Sequence, residues 1–168
     1  MPQVILHHLF RSPGHNYFGH HGMPAGENGI EDCDEIELVT GRGIVGDRFF
    51  DFKPDYKGQI TFFDHAVVEE VRIHADKPGL PASAFRRNVI IEGVDLNSLI
   101  GRRFRLGDIL FEGTQECSPC YWMDAACGKP GIENLLKGRG GLRCRILEDG
   151  ILKRSGSVPL QIEESAEA

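Results

Sequence analysis

Short runs of apolar and β-branched residues, separated by glycine-containing turns, most restrict how this chain can fold. Of the 168 residues, 21 are glycine, far more positive-φ positions than a helical bundle can use. The main predicted strands are Val4–Phe10, Ile36–Thr40, Gln59–Phe63, Asn88–Val94 and Val158–Ile162. The pattern predicts a mainly β fold, a closed or nearly closed β-barrel with a few short helices, because closure removes unpaired sheet edges.

Two segments have the pattern of a helix. Asp64 is a candidate N-cap, and the helix that follows it carries Val67 and Val71 on one apolar face and ends near Ala75. Gly131 to Lys137 is the second and shorter candidate.

Length and charge limit the classes of protein that this chain can belong to. A chain of 168 residues suits one domain over 1–168, with a histidine- and glycine-rich loop at 11–29 and a frayed acidic tail at 163–168. The net charge of −6 argues against a nucleic-acid partner. No leader-like segment opens the chain and no apolar run is long enough to span a membrane, so a cytoplasmic location is expected.

Several enzyme classes lose their main sequence support. The chain has no phosphate-binding P-loop, no dinucleotide-binding glycine fingerprint, no nucleophile-elbow serine and no HExxH. The chain has five cysteines, an odd number, and a reducing compartment is expected. Both features argue against a disulfide framework. Each cysteine is therefore a core residue, a ligand or a reactive thiol.

The segment Glu116–Trp122 holds the most informative pair of these cysteines and is predicted to be a loop. Cys117 and Cys120 lie three residues apart in it, beside the only tryptophan. Pro119 has a fixed φ and restricts Ser118 to extended conformations, which defines the direction of the following thiol. Such a thiolate can be a metal ligand, a sulfur carrier or half of a redox pair.

A structural zinc site is one alternative for the cysteines. Cys117 and Cys120 form a common half-site, and Cys127 and Cys144 would have to supply the other half. Their spacing does not match a second half-site, and Cys144 lies on the apolar side of an alternating strand, where a buried thiol is expected. Cys33 lies among acidic residues and is interpreted as incidental.

Two arginine-containing segments are candidate anion sites. Arg86 and Arg87 directly precede the most apolar strand, and Arg48 ends the sequence Gly46-Asp47-Arg48. Guanidinium groups bind phosphate or carboxylate in a bidentate manner. From composition alone, ion pairs with some of the 25 acidic residues are the more common use of such arginines. A functional role requires both segments to meet the cysteine loop in space.

The histidines are mostly grouped in the long loop. His15, His20 and His21 are predicted to lie in a solvated or substrate-contacting loop rather than in a metal site, since no spacing aligns their ring nitrogens. His7 and His8 are adjacent in the first strand, so one of them is expected to face inward as a core residue.

The order of several motifs resembles the MOSC domain, the module named for the C-terminal part of molybdenum cofactor sulfurase. The resemblance to stand-alone bacterial-type members covers about residues 36–156. Its motifs are Gly46-Asp47-Arg48, the strand and helix from Gln59, Arg86-Arg87-Asn88 with the strand after it, Gly101–Asp108, Ser118-Pro119-Cys120, and Gly140-Gly141 to Gly150. The family fold is a β-barrel with a few helices, in agreement with the strand pattern.

The resemblance implies binding of the molybdenum cofactor, a pterin dithiolene with a terminal phosphate. Family members deliver sulfur or reduce N-hydroxylated small molecules, which implies an external electron donor or a sulfur-donor protein as partner. Cys120 matches the family's key cysteine and would ligate molybdenum or carry a persulfide, as catalytic residue and metal ligand. Asp47 and Arg48, with Arg86, Arg87 and Asn88, match the cofactor-binding motifs, and their cations would lower the pKa of the thiol.

The chain departs from the family pattern at two places. Ser157 follows Gly156 where the family usually has an aspartate, so any role of that carboxylate is absent. The 11–29 segment is longer and richer in histidine than the family pattern and is expected to form a lid. Cys117 is an additional thiol that could resolve an oxidised or persulfidated Cys120.

Overall fold

Seven strands close into a barrel in this computed structural model, which describes residues 2–15, 26, 28–119 and 122–165. Around the barrel the order is β1, β11, β7, β8, β9, β5 and β6, and β6 pairs with β1 again. Their bounds are β1 Gln3–Arg11, β5 Ile60–Asp64, β6 Val89–Glu92, β7 Arg102–Leu106, β8 Ile109–Glu116, β9 Leu142–Ile146 and β11 Ser155–Ser165. The predicted closed β-barrel is confirmed.

Four short strands lie outside the closed ring. Strand β2 (Glu31–Asp32) extends β1, while β10 (Gly150–Lys153), β3 (Glu35–Val39) and β4 (Gly43–Ile44) form a separate three-stranded sheet. The apolar side chains of this small sheet join the cluster that fills the barrel. β11 reaches Ser165, so it includes the first residues of the tail that was expected to fray.

Three α-helices are described, α1 (His65–His74), α2 (Trp122–Cys127) and α3 (Ile132–Leu135). The Asp64 carboxylate accepts a hydrogen bond from the Ala66 backbone nitrogen at 2.9 Å, which confirms the predicted N-cap. Helix α1 joins β5 to β6, and these two strands are parallel, a pairing that needs a crossover connection. No helix among the described residues is long and apolar enough to cross a membrane.

The apolar residues form two clusters on opposite sides of the barrel wall. Phe62, Phe104 and Phe111 lie in the cluster inside the barrel, and Phe63 and Ile90 lie in the cluster between the wall and the helices. Strands β5 and β6 are therefore buried on both faces, which explains why their sequences are almost continuously apolar.

Two local predictions differ from the structure. Neither His7 nor His8 is a core residue, because their side chains are 28% and 33% exposed. The β1–β6 register shifts between Leu6 and His8. This irregularity interrupts the alternation of inward and outward side chains from which one of the two histidines was predicted to face the core. Trp122 begins α2, so the irregular part of the cysteine loop is shorter than Glu116–Trp122.

Asn88 joins three strands through its backbone and its amide. Its Oδ1 accepts hydrogen bonds from Thr61 N at 2.9 Å and Thr61 Oγ1 at 3.1 Å. Its Nδ2 donates to the Phe10 carbonyl at 3.1 Å, and the side chain is 3% exposed. The residue thus ties β5 to β1 at the start of β6.

We expect Asn88→Ala to lower the free energy of unfolding by about 2–4 kcal/mol, because buried donors and acceptors on β5 and β1 lose their partners. Urea unfolding followed by circular dichroism measures this. The control is Asn97→Ala, which removes one exposed hydrogen bond to Gly138 and should cost less than about 1 kcal/mol. Equal effects of the two substitutions would contradict the structural role of Asn88.

Candidate functional site

Four arginines from three separate segments line one cavity of about 250 Å³. The four are Arg48, Arg86, Arg87 and Arg143. Among the described residues that line it, none is aspartate or glutamate. A concave surface with cations and no facing carboxylate has a strongly positive potential, so it is suited to an anionic ligand.

Arg87 is the most buried of these cations, at 9% exposure. Its Nε donates to the Gly140 carbonyl at 2.9 Å, its Nη1 to Phe85 at 3.0 Å and its Nη2 to Cys117 at 3.3 Å. All three acceptors are backbone carbonyls, which do not neutralise the charge. Arg87 therefore organises the cysteine loop and also leaves a positive charge at the cavity.

Arg48 is held at the cavity by its neighbours. Its Nη1 lies 3.3 Å from the Asp47 carboxylate, and its Nη2 donates to the Arg86 carbonyl at 3.1 Å. Burial lowers the pKa of Arg48, and the Asp47 charge offsets part of that effect. Asp47 itself does not line the cavity. Its buried carboxylate accepts from the backbone nitrogens of Ser12 and Phe49 at 3.0 and 3.2 Å, so it shapes the turn that presents Arg48.

Arg86 has a left-handed backbone, with φ of 54° at the end of a 3₁₀ turn, Ala82–Phe85. This conformation is uncommon for a residue with a side chain, and it turns the chain so that adjacent arginines both reach the cavity. Nη2 of Arg86 donates to the Ser12 hydroxyl at 3.2 Å and the Gly14 carbonyl at 3.1 Å. Asn88, the third residue of this motif, does not line the cavity.

Arg143 was not singled out as a site residue from the sequence. It lies on β9, where Leu142, Cys144 and Ile146 are buried and Arg143 and Arg145 point to the other face. Arg145 is paired with Glu112 at 2.8 Å and Asp55 at 2.9 Å. The Arg143 guanidinium has no hydrogen bond or ion pair within the described part of the chain. Alternation predicts only that both arginines lie on the same face of the strand, and the tertiary structure distinguishes them.

The cysteine loop borders the same cavity. Cys117 and Ser118 line it, and the Cys117 backbone nitrogen donates to the Gly141 carbonyl at 2.8 Å. Cys120, the predicted ligand and catalytic residue, lies outside the described residues, as do His20 and His21. A functional role required both arginine segments to meet the cysteine loop in space. Both segments do meet the part of the loop that precedes Cys120.

Two glycines allow this loop to pack against the start of β9. A Cβ on Gly140 would lie 2.1 Å from the Cys117 carbonyl oxygen, and one on Gly141 would lie 2.5 Å from that of Phe62. Gly141 also has φ of 109°, which disfavours any side chain. The Gly140-Gly141 motif is therefore required for the close approach of the loop to the barrel.

The other cysteines do not form a second half of a zinc site with Cys117. Cys144 lies in the cluster inside the barrel and Cys127 in the cluster outside it. No three cysteines of the described residues lie close enough to share a metal ion. Burial raises the pKa of Cys127 to about 11 and that of Cys144 well above its usual value, so both thiols stay protonated. Cys33 is a buried member of the barrel cluster.

Aromatic rings form one wall of the cavity. Phe49 and Tyr56 are stacked with centroids 5.5 Å apart, and the Arg48 guanidinium lies 4.9 Å from the Phe49 ring centroid. Burial raises the pKa of Tyr56, which keeps its phenol protonated. His15 packs edge-on against Phe49 at 5.0 Å. Aromatic faces beside cations suit a planar ligand that carries a negative charge.

We expect Arg143→Gln to weaken binding of sulfate, a probe for a phosphate group, by roughly 10- to 100-fold. Loss of a charge-assisted hydrogen bond costs about 1.5–3 kcal/mol, whereas stability should change by less than about 0.5 kcal/mol because no partner is lost. Isothermal titration measures the affinity. The control is Arg145→Gln on the same strand, which breaks ion pairs away from the cavity; equal losses in both variants would contradict the assignment.

We also expect sulfate to bind more tightly as the pH falls from about 7.5 to 5.5. Burial, together with Arg48 and Arg86, lowers the pKa of His15, so this imidazole is neutral at pH 7. A bound anion favours the protonated form, and protonation at lower pH adds positive charge to the cavity. One proton limits the gain to about tenfold per pH unit. In His15→Gln the affinity should become nearly independent of pH over this range; an unchanged slope would refute the role of His15.

Comparison with known proteins gives a consistent family assignment. The family model of the MOSC domain matches residues 17–158, which begins upstream of the predicted boundary near residue 36. A comparison with curated protein sequences finds no match.

Similar solved structures include YuaD from Bacillus subtilis, with 16% identity and a TM-score of 0.70 over 98% of this chain and 100% of that chain. YiiM from Escherichia coli has 18% identity and a TM-score of 0.64 over 99% of this chain and 74% of that one. YiiM from Geobacillus stearothermophilus has 14% identity and a TM-score of 0.68 over 96% of this chain and 75% of that one. At these identities the likeness establishes the fold alone. The match to the family model over most of the chain shows that it belongs to the MOSC domain family.

Proposed function

We propose that this protein binds the molybdenum cofactor at the arginine-lined cavity and reduces N-hydroxylated small molecules with Cys120 as the metal ligand. The observation that carries the proposal is the convergence of four arginines, with no described carboxylate among the lining residues, beside Cys117 and Ser118. The cofactor is a phosphate ester with a planar heterocycle. Both parts fit the character of the cavity, which is lined by arginines and by aromatic rings.

The four arginines have different tasks in this proposal. Arg143 offers a guanidinium that no described residue engages, so it is available for a phosphate. Arg48 and Arg86 are fixed by their neighbours and present charge from defined positions. Arg87 donates hydrogen bonds to three carbonyls, so it contributes positive electrostatic potential to the cavity rather than a flexible contact with the ligand. The charges of Arg48, Arg86 and Arg87 therefore have fixed positions before a ligand binds.

The cysteine loop is organised for a reactive thiolate. Arg87 and Gly141 hold Cys117 through its carbonyl and its amide, and Pro119 limits the conformations that lead to Cys120. In this proposal the guanidinium groups of the cavity would favour the thiolate form of Cys120. When bound, the cofactor would supply two-electron redox chemistry at molybdenum. The electrons would come from an external donor, since the sequence carries no flavin or iron–sulfur motif.

A sulfur carrier is the second candidate function. Cys117 lines the cavity and lies three residues before Cys120, so it could resolve a persulfide on that residue. In that case the protein would hold cofactor or sulfur for another enzyme without reducing a substrate itself. The same cationic cavity would serve either role, and activity measurements separate them.

The test uses the purified holoprotein with an external electron donor and a hydroxylaminopurine as substrate. We expect molybdenum and pterin in the protein, and at least about a 100-fold loss of reduction in Cys120→Ser, since a metal ligand is lost. Cys33→Ala is the control, because Cys33 is a core thiol away from the cavity. Retained reduction in Cys120→Ser would refute the ligand assignment.

The carrier function predicts a different result from the same samples. Bound cofactor without reduction, together with releasable sulfur that disappears in Cys120→Ser, would favour the carrier. Absence of both pterin and releasable sulfur from protein made in a cofactor-producing host would overturn both functions.

A further inference from the structure

A second cluster of ligand-type side chains lies on the outer wall of the barrel. His7, His65 and Glu92 each place one potential ligand atom within 4.8 Å of the other two, and they are the one such group of three among the described residues. None of them lines the arginine cavity. The cluster is therefore independent of the proposed cofactor site, and nothing in that function uses it.

Rigid elements bring the three residues together. Asp64 pairs with Ile91 across the parallel strands β5 and β6, so His65 at the start of α1 and Glu92 are neighbours. Glu92 in turn lies opposite Ile5 on β1, and the register shift near His7 places that imidazole beside it. Paired strands and a capped helix start fix the backbone positions of the three residues before a ligand binds.

The two imidazoles and the carboxylate of the cluster are in close contact. The rings of His7 and His65 are stacked, with centroids 3.8 Å apart and planes at 16°. Nε2 of His7 lies 2.7 Å from the Glu92 carboxylate. Nδ1 of His65 is buried and has no hydrogen-bond partner in the described residues, an arrangement that is costly unless something binds the imidazole.

A simple histidine–carboxylate hydrogen bond does not account for this arrangement. The chain has such a pair next to it, since His8 Nδ1 lies 2.8 Å from the Asp32 carboxylate. That pair has no second imidazole. Glu69 approaches His65 Nε2 only to 3.8 Å and is engaged by Arg72 at 2.6 Å. The second, stacked imidazole with a buried, unbonded nitrogen distinguishes the cluster at His7.

We propose that His7, His65 and Glu92 form a binding site for Zn²⁺. Two imidazoles and one carboxylate are a donor set that zinc accepts, whereas Mg²⁺ and Ca²⁺ prefer oxygen ligands alone. Zinc bonds of about 2.0–2.2 Å place tetrahedral ligand atoms roughly 3.3 Å apart. The ligand atoms already lie within 4.8 Å of one another, and binding requires the stacked imidazoles to turn out of parallel so that their lone pairs meet at the ion. A fourth position stays open to water, as in zinc sites with three protein ligands.

Binding replaces the hydrogen bond between His7 and Glu92. The proton that His7 Nε2 shares with Glu92 has to leave that nitrogen: a neutral imidazole transfers it to Nδ1 through solvent, whereas an imidazolium releases it to solvent. The Nε2 lone pair, a His65 ring nitrogen and a carboxylate oxygen of Glu92 then bond the ion, and no electron transfer occurs. The ion would then clamp β1, β6 and the start of α1 together. Zinc should raise the thermal unfolding midpoint of the protein, because it binds the folded chain and finds no preformed site in the unfolded one.

The experiment titrates Zn²⁺ into chelator-treated full-length protein that carries Cys117→Ser and Cys120→Ser, so that the loop thiols cannot bind the ion. We expect one equivalent to bind. His65→Asn and Glu92→Gln should each weaken binding by at least about 100-fold, since loss of even an outer partner costs 10- to 100-fold. His8→Gln is the matched control and should bind as tightly as the parent.

Co²⁺ absorption in the same protein reports the ligands directly, and thermal unfolding shows whether each variant is folded. We expect a Co²⁺ spectrum typical of nitrogen and oxygen ligands that is lost in His65→Asn. No binding by the parent, unchanged affinity in both ligand variants, or an equal loss in His8→Gln would each overturn the proposal. These results do not depend on whether the arginine cavity binds a cofactor, since the two sites share no residue.

Discussion

The buried guanidinium of Arg87 is the interaction on which the rest of the site depends. It joins three backbone segments that are distant in sequence, at Phe85, Cys117 and Gly140, through hydrogen bonds to their carbonyls. Lysine could not replace it, because a single ammonium lacks the planar arrangement of donors that spans three acceptors. One side chain thus holds the cysteine loop close to the start of β9 and places a positive charge at the cavity.

Charge balance connects that contact to function. The protein as a whole has a net charge of −6, yet the cavity gathers four arginines without a described carboxylate among its lining residues. Surface arginines elsewhere follow the common pattern and pair with acids, as Arg145 does with Glu112. Gathering cations at one cavity, against the overall charge of the protein, costs folding free energy, and a bound anion is the simplest physical reason to keep them there.

Much of the fold could be predicted from the sequence because its signals are local. The Asp64 cap, the apolar face at Val67 and Val71, and the alternation on β9 depend on residues a few positions apart, and the structure agrees with each. Predictions failed where a local pattern is interrupted. The register shift on β1 places both His7 and His8 outside the core. The neighbouring residues do not predict such a shift.

The sequence by itself determined the barrel class, the family and the identity of two arginine segments and one cysteine loop, because strand periodicity and motif order are properties of the chain alone. Only the tertiary structure decided that these segments meet at one cavity, that Arg143 rather than Arg145 joins them, and that His7 meets His65 and Glu92. The reason is that strand register and chain crossings set distances between residues far apart in sequence, and hydrophobic burial over the whole molecule selects that register.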